Sequence, residues 1–182
     1  MVKTYEEYAR VLEYLSSGYP TSGKSFKRKP IAQIIGETHF SLLEVIPKTD
    51  LSANERCYIG KGLRDKISHV NKRLTYEELT SQAKFELSYV VEGIVESAEE
   101  RFVEFLNASR PITIRFHQLE LLDGIGKKLM NDILFERRKK EFSSFEDIKK
   151  RIPTIPDLQK TFTKRIISEI KGEDRYKIFV RK

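Results

Sequence analysis

The spacing of hydrophobic residues changes along the chain, from short β-type runs in residues 1–74 to helical spacing afterwards. The early runs are rich in strand-forming residues and are bounded by Gly, Pro and Ser. They read YARVLEYL, KPIAQIIGE, FSLLEVIPK, ERCYIGKG and KISHVNKRL. The first fits a helix or a strand, and the break at 36–39 favours a hairpin between the second and third. The pattern therefore predicts four or five strands.

Five short strands in roughly 70 residues are too few for a two-sheet sandwich and suit a small closed or partly open barrel, such as an OB-fold. The connection SSGYPTSGKSFKRKP is rich in Gly, Ser and Pro, and four of the six residues from Lys24 to Lys29 are basic. We expect an exposed, mobile loop there that can swing onto a phosphate backbone.

Helical spacing begins after Thr75, which together with Glu78 forms a capping-box pattern. Apolar residues then recur at steps of three and four as far as Leu106, and glutamates fill the opposite face. The pattern predicts one long acidic helix ending near Asn107, with a bend or close contact at Gly93. The following segment PITIRF alternates in the manner of a short strand.

The stretch LELLDGIGKKLMNDIL, residues 119–134, places two glycines between two apolar segments. Glycine adopts positive φ without steric cost, so Gly-Ile-Gly suits a tight turn between two helices. The free N–H groups of the second helix would then point outward and attract an anion such as phosphate. Lys127 and Lys128 oppose the local helix dipole, and their position is explained if they face a bound anion.

This pattern resembles the helix-hairpin-helix motif, which binds nucleic-acid backbones without reading base sequence, sometimes through a monovalent cation. The resemblance implies that Gly124, Ile125, Gly126, Lys127 and Lys128 contact phosphate. The motif usually has a small residue where this chain has Met130, so we expect either a wider helix crossing or a Met130 side chain that bends aside.

A second, degenerate copy of the motif follows a linker helix in FSSFEDIKKRI, with Ser144 as cap and Asp147 in the reciprocal position. Pro153 and Pro156 stand where this second copy would have glycines. We expect it to complete the core without binding phosphate. The tail RYKIFVRK alternates like a strand and is predicted to pair with PITIRF.

Charge changes this picture by pointing to a polyanionic partner. The formal net charge is +7; residues 1–109 contribute −1 and residues 110–182 contribute +8. Within the first part, residues 1–74 carry +5 and residues 75–109 carry −6. Nucleic acid or an anionic membrane surface would be attracted to the two ends of the chain. The alternative is a solvated surface that only aids solubility.

Several classes of protein are disfavoured. Apolar runs are far shorter than the roughly 20 residues of a membrane span, and the first residues do not resemble a signal peptide, so we expect a cytoplasmic protein with no membrane partner. Cys57 cannot form an internal disulfide, and with three histidines it shows no zinc spacing. No clustered carboxylates or activated nucleophile are recognisable, so we expect no enzyme activity, no metal and no cofactor.

Over nearly its full length the chain also resembles an archaeal family described as domain of unknown function 655 (DUF655). The resemblance rests on YARVLEYL, KPIAQIIGE, YIGKG, LTYEELTSQAKFELSYVVEGIVE and HQLELLDGIGKK. It implies RNA as the ligand and an α+β architecture. That architecture comprises an OB-like β-barrel in 1–74, the long linking helix and a return strand in 75–116, and a tandem helix-hairpin-helix domain in 117–182.

We therefore expect a non-catalytic nucleic-acid-binding protein, with RNA favoured over DNA by the resemblance. The basic run Arg137, Arg138, Lys139 and Lys140 extends the predicted surface, or is simply a helix end where positive charge suits the dipole. A second contact for single strands is predicted on the barrel, at Tyr58, Lys61, Arg64 and Lys66. The alternatives are a DNA-binding or repair accessory protein and a structural adaptor on a ribosomal or transcription complex.

Overall fold

A computed structural model describes residues 5–19 and 29–181. The predicted basic loop at Lys24–Lys29 lies outside the described residues, except for Lys29 itself. Contacts divide the chain into two units. Unit 1 comprises the residues up to Val90 together with those from Ser168 onward, and unit 2 is Val91–Ile167. The three-segment division predicted from sequence stays a prediction.

Unit 1 is built on an antiparallel five-stranded sheet, which confirms the predicted strands. The strands are β1 (Tyr8–Leu15), β2 (Ile31–Gly36), β3 (Leu42–Pro47), β4 (Arg56–Tyr58) and β5 (Ile67–Arg73). Their order is β4-β1-β2-β3-β5, so β2 and β3 form the expected hairpin, and the first apolar run is a strand. The sheet is a curled half-barrel whose two edges are β4 and β5.

Irregular strand pairing accounts for the curl, and the strands enclose one apolar cluster. The register shifts in β1 between Val11 and Glu13 and twice within β3, and such bulges increase local twist. Ala9, Val11, Ile34, Val45 and Ile67 are almost inaccessible to solvent and belong to one apolar cluster.

On β2 the fully buried amide of Gln33 donates to the carbonyl oxygen of Glu78 at 3.1 Å and accepts from the N–H of Thr80 at 3.0 Å. These two bonds attach the chain after β5 to the sheet. They satisfy a buried polar group that would otherwise be costly.

The predicted single long helix is wrong in two places. The capping box of Thr75 and Glu78 is present, but it caps only a 3-10 turn, Tyr76–Glu78, and the first α-helix, α1, is Ser81–Ser97. Thr80 supplies the actual cap, because its hydroxyl accepts the N–H of Ala83 at 3.0 Å. A break at Ala98, whose φ is −117° and ψ 31°, separates α1 from α2 (Glu99–Ala108).

Unit 2 continues with a two-stranded ribbon and further helices, which confirms a mixed α+β fold. The elements are β6 (Pro111–Thr113), β7 (Phe116–His117), a 3-10 turn at Gln118–Leu121, α3 (Lys127–Lys139), α4 (Phe145–Arg151) and α5 (Leu158–Lys171). The last residues of α5 belong to unit 1. In α4 the predicted cap is confirmed, since the Ser144 hydroxyl accepts the Asp147 N–H at 3.0 Å.

The predicted pairing of the tail with PITIRF is wrong. β6 pairs with β7, its own neighbour in sequence. The tail is held instead by the fully buried carboxylate of Glu169, which accepts N–H groups from Ile178, Phe179 and Val180 at 2.9–3.0 Å. The N–H of Arg181 then reaches the carbonyl oxygen of His39 at 3.3 Å.

Candidate nucleic-acid interface

The Gly-Ile-Gly stretch forms a tight turn at the start of α3. The N–H of Ile125 donates to the carbonyl oxygen of Leu122 at 3.0 Å, and the Ile125 side chain is buried. The segment before the turn is the 3-10 turn 118–121, where the sequence predicted the end of an α-helix. His117 caps this short turn, because its Nδ1 accepts the Leu119 N–H at 3.1 Å.

The two glycines have different roles. Gly124 has a φ of +79°, the left-handed conformation that other residues adopt only at a cost. Gly126 is the N-cap of α3 in an extended conformation open to any residue, and a Cβ there would meet nothing within 4 Å. Because glycine has no side chain to cap the helix, the first-turn N–H groups of α3 remain available to an external acceptor.

Lys127 and Lys128 lie in this first turn and are both exposed. Neither forms an ion pair with any carboxylate in the described part of the chain. Their charge therefore adds to the positive end of the helix dipole without internal compensation. The structure brings together the five residues predicted to contact phosphate.

A second turn repeats this geometry before α5. The N–H of Ile155 donates to the carbonyl oxygen of Ile152 at 3.0 Å, as Ile125 does to Leu122. Here, however, Asp157 precedes the helix, and its Oδ1 accepts the N–H of Lys160 at 3.1 Å. The N-terminus of α5 is therefore occupied by a carboxylate of the chain itself.

The two turns lie side by side. A Cβ placed on Gly124 would come within 3.4 Å of the Cγ of Pro156. Lys164 Nζ lies 3.3 Å from Asp123 Oδ2, and the Arg165 guanidinium donates to the carbonyl oxygen of Leu121 at 3.2 Å. These contacts place an exposed lysine of α5 next to the first turn. Lys164 was not among the residues predicted from sequence, although its i,i+4 spacing from Lys160 puts both lysines on one face of a helix.

The basic run at the end of α3 does not act as one surface. The Arg137 guanidinium donates to the carbonyl oxygens of Leu106 at 2.7 Å and Ser109 at 2.9 Å, and burial lowers its pKa. The dipole that Arg137 complements is therefore that of α2, and not that of its own helix α3, as the sequence predicted. Lys139 pairs with Glu136 at 2.6 Å. Arg138 and Lys140 are exposed.

The residues predicted on the barrel are also divided. The Tyr58 hydroxyl accepts the N–H of Gly62 at 3.0 Å, and its ring meets Tyr8 edge-on at 5.3 Å. Lys66 forms an ion pair with Glu55, which raises the pKa of the lysine. Tyr58 and Lys66 thus hold the β4–β5 connection together.

Lys61 and Arg64 lie on the same connection and line a surface cavity. Lys61 Nζ lies 5.1 Å from the ring centre of Tyr5, and Arg64 Nε donates to the carbonyl oxygen of Gly60 at 2.8 Å. Neither the Tyr5 ring nor the Gly60 carbonyl group carries a full negative charge, so the positive charges of Lys61 and Arg64 are not neutralised.

Two further findings concern metal binding and membrane-spanning helices. Among the described residues, no group of three or more His, Cys, Asp or Glu side chains is arranged to hold a metal ion. Within the same residues, every helix is too short or too polar to cross a lipid bilayer.

Comparison with known proteins gives a consistent assignment. The model of the family described as "Protein of unknown function (DUF655)" matches residues 5–181. The chain is 47% identical over 181 residues to the uncharacterized protein MJ0038 of Methanocaldococcus jannaschii, covering 97% of this chain and 81% of that protein. The crystal structure of Af1531 from Archaeoglobus fulgidus, described with the same family, matches with a TM-score of 0.87 at 44% identity, covering 97% of this chain and 100% of the other.

Proposed function

This chain belongs to the DUF655 family, as its sequence resemblance predicted, and we propose that it is a non-catalytic nucleic-acid-binding protein. It holds the phosphate backbone at the turn 124–128, and RNA is the favoured polymer. In this proposal the turns before α3 and α5 are a helix-hairpin-helix pair with one working copy. The curled sheet is the OB-like part of the protein.

The observation that supports the proposal best is the contrast between Gly126 and Asp157. The turns before α3 and α5 share the same backbone hydrogen bond. The one before α5 ends in an aspartate whose carboxylate already accepts a helix N–H, whereas Gly126 has no side chain to do so. Lys127 and Lys128 then add two uncompensated charges beside the open helix end. An external phosphate oxygen would satisfy both features at once.

The contrast supplies its own test, in which Gly126→Asp is compared with Gly126→Asn. Either side chain fits, since a Cβ at Gly126 meets nothing within 4 Å, and both are good helix caps. Only the aspartate places a negative charge where the phosphate would bind. We expect Gly126→Asp to reduce affinity for RNA at least tenfold more than Gly126→Asn, while both variants keep or slightly increase stability.

Binding should be measured on single- and double-stranded RNA and DNA across a salt series. A backbone contact predicts a log–log slope of about −0.9 per phosphate on duplex DNA and about −0.7 on single strands. Equal binding by the two variants would remove the turn from the proposal. Stronger binding to duplex DNA than to RNA would favour a DNA-binding accessory protein. Absence of binding to all four polymers would leave the structural adaptor as the remaining function.

A further inference from the structure

Two cavities in unit 1 share a wall. The first has a volume of about 430 Å³ and the second about 570 Å³, and each is within the range of small-ligand pockets. Ser41 and Arg73 line both. The Arg73 guanidinium donates to the Ser41 hydroxyl and to the carbonyl oxygen of Arg181, each at 3.2 Å, so this side chain stands at the boundary between them.

Each cavity combines an apolar lining with one tyrosine. The first is lined by the aliphatic residues Leu43, Ile59 and Val70 and by Tyr5, which is 54% exposed. The second is lined by Tyr76 and by a larger apolar set, Phe40, Leu42, Leu74, Ile170 and Val180. Aromatic faces beside an apolar floor are the usual platform for unpaired bases, because every base can stack on them.

The charge of the lining is strongly positive. Three Lys or Arg residues line the first cavity and four the second, with Arg73 in both, so there are six in all. They are Lys61, Arg64, Arg73, Lys171, Lys177 and Arg181. Within the described chain none of the six forms an ion pair with a carboxylate, unlike Lys66 and Lys72, which pair with Glu55 and Glu78.

The two glutamates of the lining are already engaged. Glu6 is buried, and its carboxylate accepts the N–H groups of Thr38, His39 and Ser41 at 2.9–3.1 Å. Glu77 lies 3.8 Å from Lys84. With six cations against these two carboxylates the lining keeps a formal net charge of +4, and an anionic ligand would be attracted to it.

Contacts on either side of Arg73 hold several of these cations in place before any ligand arrives. The bond from Arg64 to the carbonyl oxygen of Gly60 closes the loop after β4. Lys177 Nζ donates to the carbonyl oxygen of Glu169 at 2.9 Å. Binding of a chain of phosphates to fixed cations loses less side-chain conformational entropy than binding to mobile cations does.

We propose that the two cavities form one groove for single-stranded nucleic acid, with phosphates along the cations that meet at Arg73 and one base on each of Tyr5 and Tyr76. The groove rests on the proposed function for its ligand class but uses residues remote in sequence from the turn 124–128. Its cations come from the β4–β5 connection, from β5 and from the C-terminal segment. The predicted single-strand contact on the barrel is thereby revised, since Tyr58 and Lys66 do not line either cavity.

The charge of the groove is tested with the double variant Lys61→Ala and Lys171→Ala, one lysine from each cavity. The matched control is Arg110→Ala with Arg115→Ala, which removes two exposed cations that form no ion pair within the described residues and line neither cavity. On a single-stranded RNA octamer the groove variant should shift the salt slope towards zero by about 1.4, the value for two lost phosphate contacts. The control should leave the slope unchanged. An equal shift in both variants would overturn the groove.

A second variant protects the test from loss of folding. Tyr5→Leu with Tyr76→Leu keeps apolar bulk and all charges but removes the two stacking faces. It should weaken octamer binding by about tenfold for each tyrosine at an unchanged salt slope. Adenosine monophosphate and an oligoglutamate peptide serve as additional ligands. Binding of either as tight as the octamer would overturn the single-strand assignment, in favour of a free nucleotide or an acidic peptide.

Gly126→Asp separates this inference from the proposed function. If that variant loses duplex binding while the groove variant loses only single-strand binding, both sites stand. If Gly126→Asp alone abolishes octamer binding and the groove variant binds like wild type, the groove is overturned and the turn stands. If wild type binds no polymer, both are overturned.

Discussion

The guanidinium of Arg137 donates to the carbonyl oxygen of Leu106 at 2.7 Å and so closes the C-terminal end of α2. The residue next to it, Arg138, is exposed. Two adjacent arginines thus have separate roles, one within the protein and one on its surface.

Replacing Arg137 by alanine should lower the free energy of unfolding by about 2 kcal/mol, because the acceptors at Leu106 and Ser109 lose a charged donor. Arg138→Ala should change stability by less than about 0.5 kcal/mol. Urea unfolding followed by circular dichroism measures both. A similar loss in the two variants would contradict the distinction.

Lys127 and Lys128 should show opposite effects on stability and on binding. Each opposes the dipole of α3, so replacing both by alanine should raise the free energy of unfolding by a few tenths of a kcal/mol per residue. The same change should make the log–log salt slope of duplex DNA binding less negative by about 1.8, the value for two lost phosphate contacts. Thermal unfolding and a salt series on one DNA duplex are sufficient. Unchanged binding with increased stability would mean that the lysines do not touch phosphate.

The stability of unit 2 should depend on pH through His117. Burial of the imidazole, with Arg137 nearby, lowers the pKa of His117 below its ordinary value. The unfolded chain therefore binds a proton at a higher pH than the folded one, so the stability from this residue is present above about pH 6.5 and is lost as pH falls below it. Protonation also removes the Nδ1 acceptor that caps the 3-10 turn.

His117→Asn keeps an acceptor at the cap and removes the titration. Between pH 8 and pH 5 the wild type should lose more unfolding free energy than this variant does. Chemical denaturation at several pH values provides the measurement, and parallel curves for the two proteins would exclude His117 as the source.

Glu169→Gln should release the C-terminal segment. The variant keeps one carbonyl acceptor for the N–H groups of residues 178–180 but loses the charge, which should cost about 2 kcal/mol. Hydrogen exchange at those amides should accelerate. Glu173→Gln is the control, since Glu173 is exposed and its carboxylate meets only the Ser168 hydroxyl, at 3.3 Å, among the described residues. Slow exchange retained in Glu169→Gln would show that the tail is held by its apolar contacts.

Sequence spacing predicted local features correctly, and it failed where a residue far away in the chain determines the structure. The strands and the Ser144 cap depend on neighbours within a few residues, and the structure confirms them. The start of the long helix was misplaced because two threonines, Thr75 and Thr80, each offer a capping hydroxyl, and Gln33 on β2 fixes the chain between them. Spacing alone cannot rank two such caps.

Prediction of the candidate sites from sequence was limited in the same way. The turn 124–128 was recognisable because its glycines and lysines are contiguous. Arg137 was assigned to the surface because its acceptors lie 28 to 31 residues earlier in the chain. The groove was missed in part because Lys61 and Lys171, 110 positions apart, line cavities that meet at Arg73. Only the fold brings such residues together.

Unit 2 is inserted, in chain order, between the two parts of unit 1. During synthesis the half-barrel therefore emerges from the ribosome long before the segment from Ser168 to Arg181, including the residue that bonds to His39. Contacts between such distant parts of a chain are slow to form. Until they do, the nascent sheet would lack five residues that line the second cavity through their basic or apolar side chains, Ile170, Lys171, Lys177, Val180 and Arg181. Polyanion capture by the groove would thus be a property that the protein gains only late in its biosynthesis.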